Sequence, residues 1–189
     1  STEIVEMIGE LNFDWVMLDA EHGSITADNI GPMIMAAEIR GLTPIVRPEN
    51  NDPSVINKYL DRGAMGVQVP HINTADEARA VVNACLYHPE GTRGLGGGRM
   101  ADFGWGPPAS EYVKTANKQM LVCVQIEDVT AVENLDEILD VENIDVFFVG
   151  PTDLAQSMGH PGDNEHPEVL QVINDVFERI HRAGHASGR

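Results

Sequence analysis

The sequence predicts an α/β fold of repeated strand–helix units: a (β/α)8 barrel of the TIM type that lacks its first strand and its last two strands. Three observations carry this reading. Short apolar runs recur along the chain, and those at residues 13–19, 43–47 and 120–127 each end on a charged residue. Stretches with apolar side chains at helical spacing separate the runs, with glycine or proline at their limits. Five such strands can be placed in 189 residues, whereas a complete barrel takes about 250.

Each element has its own signal. Residues 1–10 read as a helix through Ile4, Val5 and Ile8. The strands at 13–19 and 43–47 bracket a helix with Ile30, Met33, Ile34 and Ala37 on one face and Gly41 as its stop. Asp52 can cap the next helix and Pro53 suits its first position; the helix then runs through Ile56, Tyr59 and Leu60 to Gly63. Residues 65–70 form the third strand, and Thr74-Ala75-Asp76-Glu77 has the form of a capping box.

Residues 87–108 break the rhythm with many glycines and prolines, reading as a long mobile rim loop ahead of a helix over 111–117. Residues 120–127 are the clearest strand, and a helix through Val132, Leu135 and Ile138 follows. A fifth strand covers 146–150. A long amphipathic helix then runs from Pro167 through Leu170, Ile173, Phe177 and Ile180 to a stop at Gly184. The last residues read as the approach to a strand that the chain ends before reaching. Residues 1–189 thus read as a single, partial barrel domain.

Composition narrows the function classes. Thirty acidic residues face 12 basic ones, for a net charge of −18, and only three of the cations are lysines. That balance argues against nucleic acid as a partner and for a strongly hydrated acidic surface, as in salt-adapted proteins. No apolar run approaches the ~20 residues needed to cross a bilayer. Cys85 and Cys123 sit in apolar stretches without metal or redox spacing and read as reduced core thiols. A soluble cytoplasmic protein is the expectation.

In such barrels chemistry collects at the C-terminal ends of the strands. Those ends carry Asp19 with Glu21 and His22, then Arg47, Gln68 with Pro70, Gln125 with Glu127, and Gly150 with Thr152 and Asp153. Glu127 and Asp153 close neighbouring strands, and two hard oxygen ligands suit Mg²⁺ or Mn²⁺; the plainer role for each is to cap the helix that follows. Arg47 is placed to clamp a carboxylate or enolate, or else to form a structural ion pair. His22 is a candidate base, and by spacing Asp19 is its orienting acid. The other histidines, His71, His88, His160, His166, His181 and His185, show no ligand spacing and receive no role. Gly91–Arg99 lacks the ending of a P-loop and the third glycine of a dinucleotide fingerprint. Lys58, Lys114 and Lys118 all fall in predicted helices, which leaves no strand lysine for an imine mechanism.

Four motifs in order, 13–22, 46–48, 124–127 and 150–154, give the chain a close resemblance to the HpcH/HpaI family of class II aldolases over essentially its whole length. The resemblance implies a divalent metal ion (Mg²⁺, Mn²⁺ or Co²⁺) and reversible cleavage of 4-hydroxy-2-oxo acids to pyruvate and an aldehyde by a homotrimer or homohexamer. It implies metal ligation by Glu127 and Asp153, and substrate contacts from Gln125 and the segment Gly150, Pro151, Thr152 and Asp153. It makes Arg47 the stabiliser of the transition state, His22 the base, and Asp61 the acid behind that base, so that Asp19 and Asp61 both stand as partners of His22. Thr152 replaces the small apolar residue of some relatives. The rival readings are a citryl- or malyl-coenzyme A lyase of the same barrel type, which should carry basic residues for the nucleotide phosphates, and a non-catalytic barrel that binds an oxo acid, which has no use for His22.

Overall fold

The computed structural model describes residues 1–189 and contains a six-stranded, wholly parallel sheet in which every strand lies beside its predecessor in the chain. The strands are β1 (Trp15–Asp19), β2 (Thr43–Arg47), β3 (Gly66–Val69), β4 (Leu121–Ile126), β5 (Val146–Val149) and β6 (Ala186–Gly188). The helices are α1 (Thr2–Glu10), α2 (Gly31–Ile39), α3 (Pro53–Leu60), α4 (Ala75–Cys85), α5 (Ala109–Gln119), α6 (Val129–Glu133), α7 (Leu135–Leu139), α8 (Pro151–Ser157) and α9 (Pro167–Arg182). Neighbouring helices pack side by side around the sheet, α1 on α2, α3 on α4, α4 on α7 and α7 on α9. This is the strand–helix alternation of a partial (β/α)8 barrel.

Strand period explains how one sheet serves both packing and chemistry. Along β4, Val122, Val124 and Ile126 join the apolar core, while the residues between them, Cys123 and Gln125, lie outside that cluster. In β3, Val67 and Val69 are core and Gln68 is a buried polar side chain. The alternate face therefore carries Gln68 and Gln125, and Glu127 continues it just past the end of β4.

Local chemistry sets the helix limits where the sequence signals them. Asp52 accepts the Ser54 backbone N–H at 2.7 Å with Pro53 in the first turn, and Thr74 and Glu77 complete a reciprocal capping box. Gly41 and Gly184 take φ of +74° and +88° directly after their helices, a left-handed turn that side chains with a Cβ resist.

Four features differ from the sequence expectation. The chain does reach a sixth strand, since Ala186–Gly188 pairs with β5. The helix expected through Val132 to Ile138 is broken into α6 and α7 at Asn134, whose φ of −92° and ψ of 8° leave the helical region. A short helix, α8, follows β5 directly. The rim loop is anchored as well as irregular: Arg93 is buried, sits 4.9 Å over the Tyr87 ring and pairs with Asp61, and a 3-10 segment at Arg99–Gly104 is tied by Arg99 to Glu38 at 2.8 Å. No helix is long and apolar enough to cross a membrane.

Candidate active site

Register places the first pair. Asp19 and Arg47 are direct partners across β1 and β2, and Asp19 takes two hydrogen bonds from the guanidinium, Nε to Oδ1 at 2.9 Å and Nη2 to Oδ2 at 2.6 Å. Arg47 holds the Asp19 carboxyl below its usual range, and Asp19 in turn raises Arg47. Asp19, which spacing sets beside His22, is engaged with Arg47 across the sheet. Its oxygens serve Arg47 and the Glu21 backbone N–H, not the His22 imidazole.

Glu127 lies just past β4 with its side chain 2% exposed. It accepts hydrogen bonds from Gln125 Nε2 at 2.5 Å and from the His71 backbone N–H at 2.7 Å, and Gln68 in turn donates to Gln125 at 2.7 Å. His71 adopts φ of +59°, and its ring stands between two acids, with Nδ1 3.2 Å from Glu127 and Nε2 3.2 Å from Glu21. The Glu21 side chain is only 5% exposed; Arg47 Nε stands 3.2 Å away, yet neither carboxylate oxygen makes a hydrogen bond.

Electrostatics give this cluster a purpose. Burial pushes the Glu127 carboxyl above its ordinary range; the hydrogen bonds from His71 and Gln125 work against that, and Glu21 adds to it. Two buried carboxylates, Glu21 without a hydrogen bond and Glu127 holding one on each oxygen, with an imidazole between them fit a hard divalent cation, whose charge would offset both. Glu21, His71 and Glu127 can each offer one atom within 4.8 Å of the others.

Gly150 brings the next strand end to this cluster. A Cβ at that position would lie 2.6 Å from Glu127 Oε2, so only glycine allows the backbone to come so close. Gly150 is the N-cap of α8, and Pro151, Thr152 and Asp153 form its first turn. Thr152 Oγ1 accepts from Asn164 at 3.1 Å.

Other expected residues are placed differently. His22 follows β1 with its side chain 62% exposed, nearest to Glu21 at 3.8 Å. Asp61 ends α3 and faces Arg93 at 3.3 Å, so no ion pair joins it to His22 within this chain. The spacing argument passed over His71 and left Glu21 without a role. His71 directly follows the Pro70 that closes the third strand run, so the rule that singled out Glu127 could have found it. A cavity of about 830 Å³ lies elsewhere, between α2, α5 and the 3-10 segment, and its Arg99 and Glu38 are already paired. The chemistry sits at the strand ends instead.

Comparison with known proteins identifies the family. The model of the HpcH/HpaI aldolase/citrate lyase family matches residues 1–189. A 2-keto-3-deoxy-L-rhamnonate aldolase of Klebsiella pneumoniae is 38% identical over 188 residues, covering 100% of this chain and 70% of that protein. A 4-hydroxy-2-oxo-heptane-1,7-dioate aldolase of the same organism is 39% identical over 188 residues, covering 100% and 71%. The crystal structure of an HpcH/HpaI aldolase from Desulfitobacterium hafniense superimposes with a TM-score of 0.92 at 32% identity, over 99% of this chain and 72% of that one. With strand-end carboxylates, a buried glutamine relay and the full length of the match in agreement, the chain belongs to the HpcH/HpaI aldolase/citrate lyase family and is an enzyme of the aldolase type.

Proposed function

We propose that the chain is a divalent-metal-dependent aldolase that reversibly cleaves 4-hydroxy-2-oxo acids to pyruvate and an aldehyde. The observation that carries this reading is the buried Glu127 carboxylate, held by Gln125 and His71 and faced by Glu21, beside an arginine on the same rim. Glu127 and Asp153 would hold the ion, with Gly150 bringing the start of α8 close to Glu127. Glu21 and His71 complete the polar shell. When bound, the ion supplies Lewis acidity that polarises the 2-oxo group and favours enolate charge.

The chain's own residues do the rest. Gln125, relayed from Gln68, and the backbone around Thr152 position the pyruvate portion. Arg47, fixed by two bonds to Asp19, keeps its positive charge beside the oxygen on which charge develops. His22, exposed to solvent, takes the 4-hydroxyl proton through a water as the C3–C4 bond breaks and the bonding pair passes to the pyruvate portion. A proton delivered to C3 then yields pyruvate. In synthesis the same steps run backwards.

Assembly into homotrimers or homohexamers and a cytoplasmic location belong to this reading. Two buried free thiols support the second. The test is pyruvate release coupled to lactate dehydrogenase, with Mg²⁺, Mn²⁺ or Co²⁺ and a panel of 4-hydroxy-2-oxo acids. Metal-dependent release that chelator abolishes is the expected result; no release with any metal and substrate would overturn the reading.

A further inference from the structure

The turn between α8 and α9 gathers a second set of metal-binding side chains that the aldolase reading does not use. Gly159 and Gly162, at φ of +84° and +80°, fold the backbone back on itself. The turn is tied by His160 N–H to the Ala155 carbonyl at 2.8 Å, Asp163 N–H to the His160 carbonyl at 3.1 Å and His166 N–H to the Asp163 carbonyl at 3.2 Å. The result is a stack of the His160 and His166 rings, with centroids 3.6 Å apart and planes at 16°. Glu168 in the first turn of α9 places Oε2 3.0 Å from His160 Nε2.

The three side chains each offer one ligand atom within 4.8 Å of the others. Both histidines are half-buried, and the same turn holds a buried acceptor, Asn164 Oδ1, that has no hydrogen-bond partner. We propose that His160, His166 and Glu168 form a binding site for one late first-row divalent ion, Zn²⁺ above all, separate from the carboxylate site at the barrel mouth.

The donor chemistry selects the ion. Two imidazoles and one carboxylate, with a fourth position open to water, are a zinc set, whereas Mg²⁺ prefers an all-oxygen shell. His166 Nδ1 accepts the Glu168 backbone N–H at a long 3.3 Å, a weak cap that an ion bound at that atom would displace. An ion lies unfavourably near the positive end of α9, but Glu168 itself and the nearby Asp163 and Glu165 carry opposite charge. Once bound, the ion joins the Gly159–Asp163 turn to α9. Asn164, by donating to Thr152 Oγ1 at 3.1 Å, carries that constraint to the first turn of α8, where Asp153 lies.

The experiment uses the full chain, stripped of metal and titrated with Co²⁺ and, separately, with Zn²⁺ against a chromophoric chelator. Four-coordinate Co²⁺ with imidazole ligands gives intense visible bands that an octahedral oxygen site lacks. The wild-type chain is expected to show those bands and one equivalent of tightly held Zn²⁺ beyond any taken up at the barrel mouth. His160→Gln, whose ring caps no helix, is expected to lose both, as is Glu168→Gln. Asp153→Asn, which lies outside the cluster, should keep both, whatever happens to aldolase activity. A wild-type chain without the bands, or a His160→Gln chain that retains them with the same Zn²⁺ stoichiometry, would overturn the proposal and leave the cluster as a helix cap with a His–Glu pair.

Discussion

A Cβ added at position 150 would stand 2.6 Å from Glu127 Oε2 and 2.9 Å from the Glu127 Cβ, closer than unforced atoms approach. Glu127 cannot swing away freely, because Gln125 and the His71 backbone both hold it. Gly150→Ala is therefore expected to cost about 1–3 kcal/mol of stability through overpacking and to weaken metal binding at the mouth; a melting curve and a Mn²⁺ titration matching wild type would remove Gly150 from the site. Arg47→Lys replaces a planar fork with a point charge and loses the double bond to Asp19. Turnover should fall by roughly 100-fold or more, the scale of losing one oxyanion donor, with Mn²⁺ affinity kept, as steady-state kinetics and metal titration on one preparation would show. The raised Glu127 carboxyl predicts a pH effect as well. Protons compete with the metal, so affinity should decline as pH falls through a midpoint above the ordinary glutamate value of about 4.3, and a midpoint at or below that value would contradict the burial argument.

Among the elements, the clearest sequence signals are local ones. Thr74 and Glu77 form the reciprocal bonds that their spacing calls for, and Thr74→Ala should cost about 1 kcal/mol, read as a lowered denaturation midpoint with an unchanged slope. Helix α8 gave no such signal. It has only seven residues and two buried apolar side chains, Leu154 and Ala155, too short a run for a period to appear. The break at Asn134 was equally hidden, since Val132, Leu135 and Ile138 keep helical spacing across it. The site was legible to the extent that strand ends are legible: Arg47, Gln125 and Glu127 sit where that rule puts them. Glu21 and His71 required knowing which strands are neighbours and that His71 takes a left-handed backbone. Sequence sets Asp19 beside His22, whereas the sheet register sets it beside Arg47.

Charge is a property of the whole molecule. Several arginines are already engaged, Arg40 with Glu6 and Glu10, Arg99 with Glu38 and Arg179 with Asp136, and the net charge is still −18. Surface repulsion of this kind acts within a Debye length, ~10 Å at 0.1 M salt and ~3 Å at 1 M. Raising KCl from dilute buffer to the molar range should therefore stabilise the fold. A relief of roughly 1–2 kcal/mol would raise Tm by about 2–8 °C for a chain of this size. A flat or falling profile would mean that the carboxylates are too far apart and too well hydrated to matter.

The strictly sequential order of the sheet also bears on how the chain finds its structure. Ile45 pairs with Gly66, and Val124 with Phe147, over modest stretches of chain, whereas Val67 must meet Val122 across more than twice that separation. Each doubling of a closed loop costs about 0.6 kcal/mol of chain entropy, so β3 and β4 form the costliest of these three junctions. The chain therefore has a natural seam: β1 to β3 can assemble as one cooperative unit and β4 with β5 as another, with the anchored segment around Arg93 and Arg99 spanning the gap between them. Function depends on that late junction, because Gln68 lies on one side of it and Gln125 with Glu127 on the other. A folding intermediate would then hold two ordered halves without a metal-binding mouth, and amide protection in pulse-labelled hydrogen exchange should appear within each half before Mn²⁺ can bind.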